Sequence, residues 1–501
     1  RSSSEAPAAP ALQLTELERN IFKVMLGTIE YFRLGTVVRV AGGWVRDKLL
    51  DGHSDDIDIV VDDMTGEEFA LKVKEYMVNI KASDAASNVG VVKQNPDQSK
   101  HLATACFRLF GLSLDVNSLR AEEYAEESRI PTTRLGTATE DALRRDFTIN
   151  SLFYNINNGT VEDLVGSGLV DLRNGTIRTP LHPNETFQDD PLRMLRVVRF
   201  AARLGFRVDS LTFDAISLGE LQELIETKVS RERRGLEVEK MMKLPRGGPV
   251  HALNLMKTAR MLGIVFIPPE IRAGTTAALR VEDLEQGVER VESVTELLAA
   301  LPQEIPELHL GAATEEADQK VDERPVLYAA LLSAWLKLTV RLGKKPEPLI
   351  SALLRAALKI DLATCQAAQN LAAAAEVIRA SAELPDPARR LAVGTHLRVV
   401  GDSWPRAVAL ALALRGGESR EAMRVSLHRE MAWVHASGLL GCWEWKPMFD
   451  GRQLMAPPFS VPKGAGLREA MDAQLRWRLE DPGLTEEACA ERLLDELART
   501  A

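Results

Sequence analysis

The stretch AGGWVRDKLLDGHSDDIDIVV, residues 41–61, concentrates side chains that could do chemistry. Asp56 and Asp58 stand two apart in a run that reads as a strand, so both leave one face while Ile57 and Ile59 leave the other. Two carboxylates this close repel unless a cation sits between them, which points to a divalent metal site; solvated acids at an exposed strand end are the competing reading. Gly42 and Gly43 have no side chain to keep a phosphate from the backbone amides. A helix starting at Trp44 would aim its N-terminus at the same place, with Arg46 adding positive charge. Because Mg²⁺ takes one or two carboxylates plus phosphate oxygens, the glycine turn and the Asp-x-Asp complement each other. A third acid, Asp115 in LSLDVN, lies in an aliphatic strand, a place that suits a paired or metal-bound carboxylate as well as an Asp capping a turn.

Further along, ALRRDFTINSLFYN (142–155) sets Arg144, Arg145 and Asp146 ahead of an apolar run holding Asn150. Two arginines can fork onto phosphate oxygens, and an Asn can donate to and accept from a ribose hydroxyl. In PLRMLRVVRFAARLGF (191–206), Arg193, Arg196, Arg199 and Arg203, with Arg207 just beyond, follow spacings of 3, 3, 4 and 4. On a helix they fall within an arc of ~120°, opposite Met194, Leu195, Val197, Val198, Ala201 and Leu204. A solvated face would mix both signs, so the unbroken stripe points to a polyanion partner. At its start Asp190 and Arg193 lie three apart, hence on neighbouring positions of the first turn. An Asp accepts from an exocyclic amine and an Arg donates to a ring nitrogen or carbonyl, so one such pair would accept C and A and reject G and U without a template. A salt bridge at a helix N-terminus uses the same two residues.

These side chains need elements to hold them. Residues 14–34 have a helical apolar period, 36–43 read as a strand running into the glycine turn, and 44–50 as a short helix. A strand over 56–61, a helix over 66–79, and strands near 88–94, 103–111 and 112–120 complete a mixed α/β unit within the first 155 residues. From about residue 186 the pattern turns helical and stays so, including 231–243 and an Ala- and Leu-rich stretch over 350–380; no internal repeat is present. At 501 residues the chain has room for three or four domains or subdomains. Its net charge of −10 argues mildly against nucleic acid, but local patches outweigh the total. No apolar run approaches the ~20 residues of a membrane span. Four scattered cysteines read as reduced thiols of an intracellular protein. The leading residues 1–13 are set aside as a disordered or targeting segment or a cloning remnant.

Together these segments resemble class II nucleotidyltransferases of the poly(A) polymerase superfamily, specifically the eukaryotic-type CCA-adding enzymes. GGWVRD…DIDIVV resembles their motif A, RRDFTINSLFYN motif B, DLRNGTIRTP (171–180) motif C, DDPLRMLRVVRFAARLGF motif D, and SRERRGLEVEK (230–240) motif E. Residues 119–142 and the late KPMFDGRQLM (446–455) are also similar in type. Asp189 departs from the Glu of many members, and 270–440 match no motif. The resemblance implies an α+β chain: a mixed α/β head with a small sheet (14–182), then an all-helical neck (183–270), body (271–400) and tRNA-binding tail (401–501). It implies Asp56 and Asp58 as catalytic metal ligands for two Mg²⁺ ions, with Mn²⁺ able to substitute; Asp115 is counted with them on its place in the strand. Substrate would meet Gly42, Gly43, Arg46, Asp47, Arg144, Arg145, Asp146, Asn150, Asp190, Arg193, Arg196, Arg199 and Arg203, while Glu232, Arg233 and Glu237 brace the neck. The implied activity is template-independent addition of C, C and A to tRNA lacking its 3′ CCA, from CTP and ATP, with release of pyrophosphate. No membrane and no obligate protein partner are implied, and the compartment is mitochondrial, cytoplasmic and/or nuclear. Poly(A) polymerases, enzymes adding only CC or only A, a non-catalytic RNA-binding scaffold and a small-molecule nucleotide-binding regulator remain the alternatives.

Overall fold

The computed structural model describes residues 12–52, 56–81, 90–92, 104–123, 132–245, 247–275, 279–304 and 322–500. The leading residues 1–11 and most of the stretch 302–320 lie outside them. The chain is α+β and divides into two compact units, Arg1–Ser230 and Arg231–Ala501.

In the first unit, α1 (Glu16–Phe32) starts where Thr15 and Glu18 cap each other: the Thr15 hydroxyl accepts from the Glu18 amide, and Glu18 accepts from the Thr15 amide at 2.7 Å. The same Thr-x-x-Glu box opens α3 (Gly66–Asn79) at Thr65 and α4 (Ala138–Leu143) at Thr137. Between them run β1 (Val38–Ala41), α2 (Gly43–Leu49), β2 (Ile57–Val61), β3 (Gly90–Val92), β4 (Thr104–Leu109), β5 (Leu112–Ser118), β6 (Arg120–Glu123) and β7 (Thr132–Leu135). A 3₁₀ turn at Thr148–Asn150 leads into β8 (Leu152–Asn155) and β9 (Thr160–Asp163). The sheet order is β3-β4-β5-β2-β1-β8-β9, and its β2–β5 pair is parallel. α3 packs on β2, β4 and β5. Ile57, Ile59 and Val61 are buried on one face of β2; on the other, Val60 gathers with Ala41, Leu119, Ala142 and Phe153.

After the sheet come α5 (Gly168–Asn174), β10 (Thr176–Ile177), α6 (Pro183–Asp189), α7 (Leu192–Leu204), β11 (Arg207–Val208), α8 (Ser210–Ile216) and α9 (Gly219–Lys228). β11, which pairs with β10, and the Thr339–Val340/Glu347–Pro348 pair in the second unit interrupt stretches expected to be helical. Two-residue strands are too short to show a period, as is the unforeseen β6–β7 hairpin with four residues a side.

The second unit is otherwise helical from α10 (Arg231–Met242) to Glu486–Thr500. Gly235 sets a close approach there: a Cβ on it would lie 1.8 Å from the Leu358 carbonyl oxygen. All four cysteines are unpaired. Among the described residues no helix is long and apolar enough to cross a membrane.

Gly66 does for the first unit what Gly235 does for the second, since its Cβ would stand 2.1 Å from the Val116 carbonyl oxygen of β5. Backbone cannot yield as a flexible side chain can, so Gly66→Ala is expected to cost about 1–3 kcal/mol or more in urea unfolding. Gly219→Ala, where nothing lies within 4 Å of the added carbon, leaves the midpoint nearly unchanged.

Candidate active site

The glycine turn demands glycine at Gly42, whose φ of 73° with ψ of −122° is strained for any L side chain, and a Cβ there would lie 2.9 Å from Arg145 Nη1. α2 follows at Gly43, seven residues long, its Trp44 and Lys48 held from below by Glu18 of α1: Trp44 Nε1 donates to Glu18 at 2.9 Å and Lys48 pairs with it at 2.9 Å. One carboxylate thus caps α1 and aims α2.

Asp58 and Asp115 are register partners in the parallel β2–β5 pair, so their side chains share a face. Burial, then Asp56, then Asp115 push the Asp58 carboxyl up to about 6, while Arg145 pulls against them. Asp115 accepts the Cys106 thiol proton, and burial with that bond pushes the thiol up to about 11. Among the described residues no group of three or more His, Cys, Asp or Glu is gathered as a ready metal cage. What stands there is the Asp56/Asp58 pair with Asp115 beside it. Hard oxygen donors that repel each other at neutral pH suit a divalent cation that also takes phosphate oxygens.

The arginines are placed differently from a solvated stripe. Arg46 is 3% exposed; it pairs with Asp47 at 2.7 Å and donates to Asn150 Oδ1. Burial lowers its pKa, with Asp47 opposing. Asn150 in turn donates to Asp146 Oδ1 at 2.9 Å, and Asp146 Oδ2 accepts two bonds from Arg196, at 2.8 and 2.6 Å. A chain, Arg46–Asn150–Asp146–Arg196, buried except at its Arg196 end, therefore joins α2, the 3₁₀ turn and α7. Arg199 is buried, Arg203 reaches Asp47 at 3.3 Å, and Arg193 donates to the Arg144 carbonyl at 2.6 Å. The stripe expected to face a polyanion is in large part spent inside its own unit, because α7 packs that face against acids brought by the head. Asp190 lies not on the first turn of α7 but between α6 and α7, ahead of the cap Pro191, where its carboxylate accepts from the Leu192 amide at 3.2 Å. Glu232 and Arg233 fall in the second unit on the exposed side of α10; of the three residues expected there only Glu237 is buried, with Arg234 beside it.

Sequence reasoning missed Asp141. Its carboxylate, 0% exposed, accepts from Arg144 at 2.9 and 2.5 Å and from Arg145 at 3.1 and 2.7 Å, aiming both arginines, and also accepts from the Arg120 amide. The signal was present as Asp followed by Arg at i+3 and i+4. Burial works to raise Asp141, yet the Arg145 and Arg144 charges hold it below the usual carboxylate range; Arg196 and Asn150 do the same for the buried Asp146. A carboxyl lowered on folding contributes stability that is present above its unfolded value of about 4 and is lost as pH falls through the folded one. The wild-type thermal midpoint is therefore expected to drop as pH falls below about 4, and Asp141→Asn, already destabilised by about 3 kcal/mol at pH 7, to show a shallower acid limb in calorimetric scans.

With this geometry in place, likeness to known proteins is informative. Residues 38–178 match the poly A polymerase head domain. The mitochondrial CCA tRNA nucleotidyltransferase of Saccharomyces cerevisiae is 31% identical over 96% of this chain and 93% of its own length. Poly(A) polymerase I of Escherichia coli is 32% identical, but over 41% of this chain and 42% of its own. Among solved structures, the CCA-adding enzyme of Thermotoga maritima complexed with tRNA superposes with a TM-score of 0.63 at 19% identity, covering 98% of this chain and 100% of that one. The likeness to the yeast enzyme runs through head and helices alike, and the chain belongs to the CCA tRNA nucleotidyltransferases of the poly(A) polymerase superfamily.

Proposed function

We propose that this chain adds C, C and A to the 3′ end of tRNA from CTP and ATP, releasing pyrophosphate, without a nucleic-acid template. The observation that carries the reading is the in-register Asp58–Asp115 pair beside Asp56, facing Arg145 and the Gly42 turn. Relatives alike over the whole chain carry the tRNA nucleotidyltransferase name, whereas the poly(A) polymerase likeness stops at 41% of it. That contrast favours CCA addition over polyadenylation.

In this reading Asp56 and Asp58, with Asp115 alongside, hold two Mg²⁺ ions, or Mn²⁺ in their place. Bound there, the ions supply Lewis acidity to the attacking 3′-hydroxyl and the departing pyrophosphate. The amides after Gly42 and the guanidinium groups of Arg145 and Arg144 receive the triphosphate, with Asp141 fixing both arginines. Arg46, Asp47, Asn150, Asp146, Arg196, Arg199 and Arg203 act from behind, holding α2 and α7 so that the base lies at Asp190 and Arg193. Those two offer an acceptor and a donor to the edge that C and A share. The helical tail, 401–501, meets tRNA, and the mitochondrial relative supports an intracellular role that includes mitochondria.

Incubating the full chain with tRNA lacking its 3′ end, Mg²⁺ and each labelled nucleotide tests the activity. Three added residues of sequence CCA support it; long A tracts, CC alone or no product refute it. Asp58→Ala is expected to slow addition by about a thousandfold or more, equivalent to about 4 kcal/mol of barrier, with the protein still folded. Near-normal rates would remove Asp58 from the metal site. Asp190→Ala is expected to raise incorporation of U and G relative to C and A by about tenfold in competition assays, while triphosphate affinity changes little.

A further inference from the structure

Three guanidinium groups converge on one aromatic ring. Phe200 of α7 is 4% exposed, and the guanidinium carbons of Arg199, Arg46 and Arg196 stand 4.3, 5.0 and 5.3 Å from its centroid. Phe147, next to Asp146, meets the ring edge-on with centroids 5.4 Å apart. Like charges this close in a poorly hydrated place repel. Asp47 offsets Arg46 and Asp146 offsets Arg196, and the negative π-face of the ring supplies further attraction for each cation. The ring also joins the two ends of the hydrogen-bonded chain: Arg46 begins it and Arg196 ends it, so Phe200 closes Arg46–Asn150–Asp146–Arg196 into a loop.

We propose that Phe200 is a positioning residue for the nucleotide site, whose π-face holds Arg46, Arg196 and Arg199 in fixed directions and through them sets affinity for CTP and ATP. The proposal rests on the nucleotide-binding reading above. Position 200 on its own reads as an ordinary apolar position of a helix, and an aliphatic residue of similar size would fill the same space. What such a residue lacks is the ring quadrupole. The three arginines would then relax away from one another, carrying α2 and the glycine turn with Arg46, and the Asp190/Arg193 end of α7 with Arg196. Cation–π attractions of ordinary strength, lost here, correspond to roughly a three- to thirtyfold change in affinity.

The test uses the full chain with Phe200 replaced by mono-, di- and trifluorinated phenylalanine, which keep the shape while draining the ring's negative face, and by Leu (Phe200→Leu). Dissociation constants for CTP and ATP are measured calorimetrically with Mg²⁺ and without tRNA, beside thermal midpoints. The expected result is a stepwise weakening of both nucleotides with fluorine number, reaching roughly three- to thirtyfold in Phe200→Leu, with midpoints nearly constant across the fluorinated series. Affinities that stay flat along the series, or that follow the thermal midpoint instead of fluorine number, overturn the role of Phe200 while leaving the nucleotide site intact. Failure of the unsubstituted chain to bind either CTP or ATP overturns the nucleotide reading itself, and the proposal with it.

Discussion

Burying Arg46 is the constraint on which the head depends. A guanidinium at 3% exposure must have every charge and donor answered nearby, and the chain answers with Asp47, Asn150 and the Phe200 ring. Asn150 spends its amide on Asp146, and Asp146 takes the fork of Arg196. A half-satisfied network of this kind would cost more than an apolar core, so its members are fixed as a set. The consequence is geometric: the turn at Gly42, the 3₁₀ turn before β8 and the long helix α7 cannot move independently.

A second, smaller assembly does the same for the triphosphate side. Asp141, wholly buried within the short capped helix α4, draws Arg144 and Arg145 together. Arg145 then lies over the Phe153 ring at 5.2 Å, against Gly42 and within electrostatic reach of Asp58. Asp58 and Asp115 sit on adjacent parallel strands, flanked by the buried Ile57, Ile59, Leu114 and Val116. Arg144 and Arg145 come from the end of α4 and the turn after it, Asp58 and Asp115 from the sheet, and the site lies where they meet.

Several elements were legible because their signal is local. The helix over 66–79 has the bounds expected for it, and the strands β1, β2, β4 and β5 fall inside the expected segments, although β2 begins at Ile57, so Asp56 stands just ahead of the strand that carries Asp58. The β6–β7 hairpin and the two-residue strand pairs left no such trace, since strands of two to four residues are too short to show a period. The arginines of α7 show the limit most plainly. Their spacing reads as a basic face turned outward, but which side a helix presents depends on what packs against it, and here that includes Asp146 and Asp47, brought from 50 and 156 residues away.

By itself, then, the sequence determined which residues were available for chemistry and which of them share a strand or helix face, because backbone period and residue type are local properties. Its motifs also carried the family. Only the tertiary structure decided how those residues are spent. It set Asp115 in register with Asp58, gave Asp141 and Phe200 their places, and turned Arg46 and much of the α7 stripe from outward charges into internal braces. The reason is that burial, charge compensation and cation–π contact are properties of pairs of groups far apart in the chain, and no spacing rule records which pairs folding brings together.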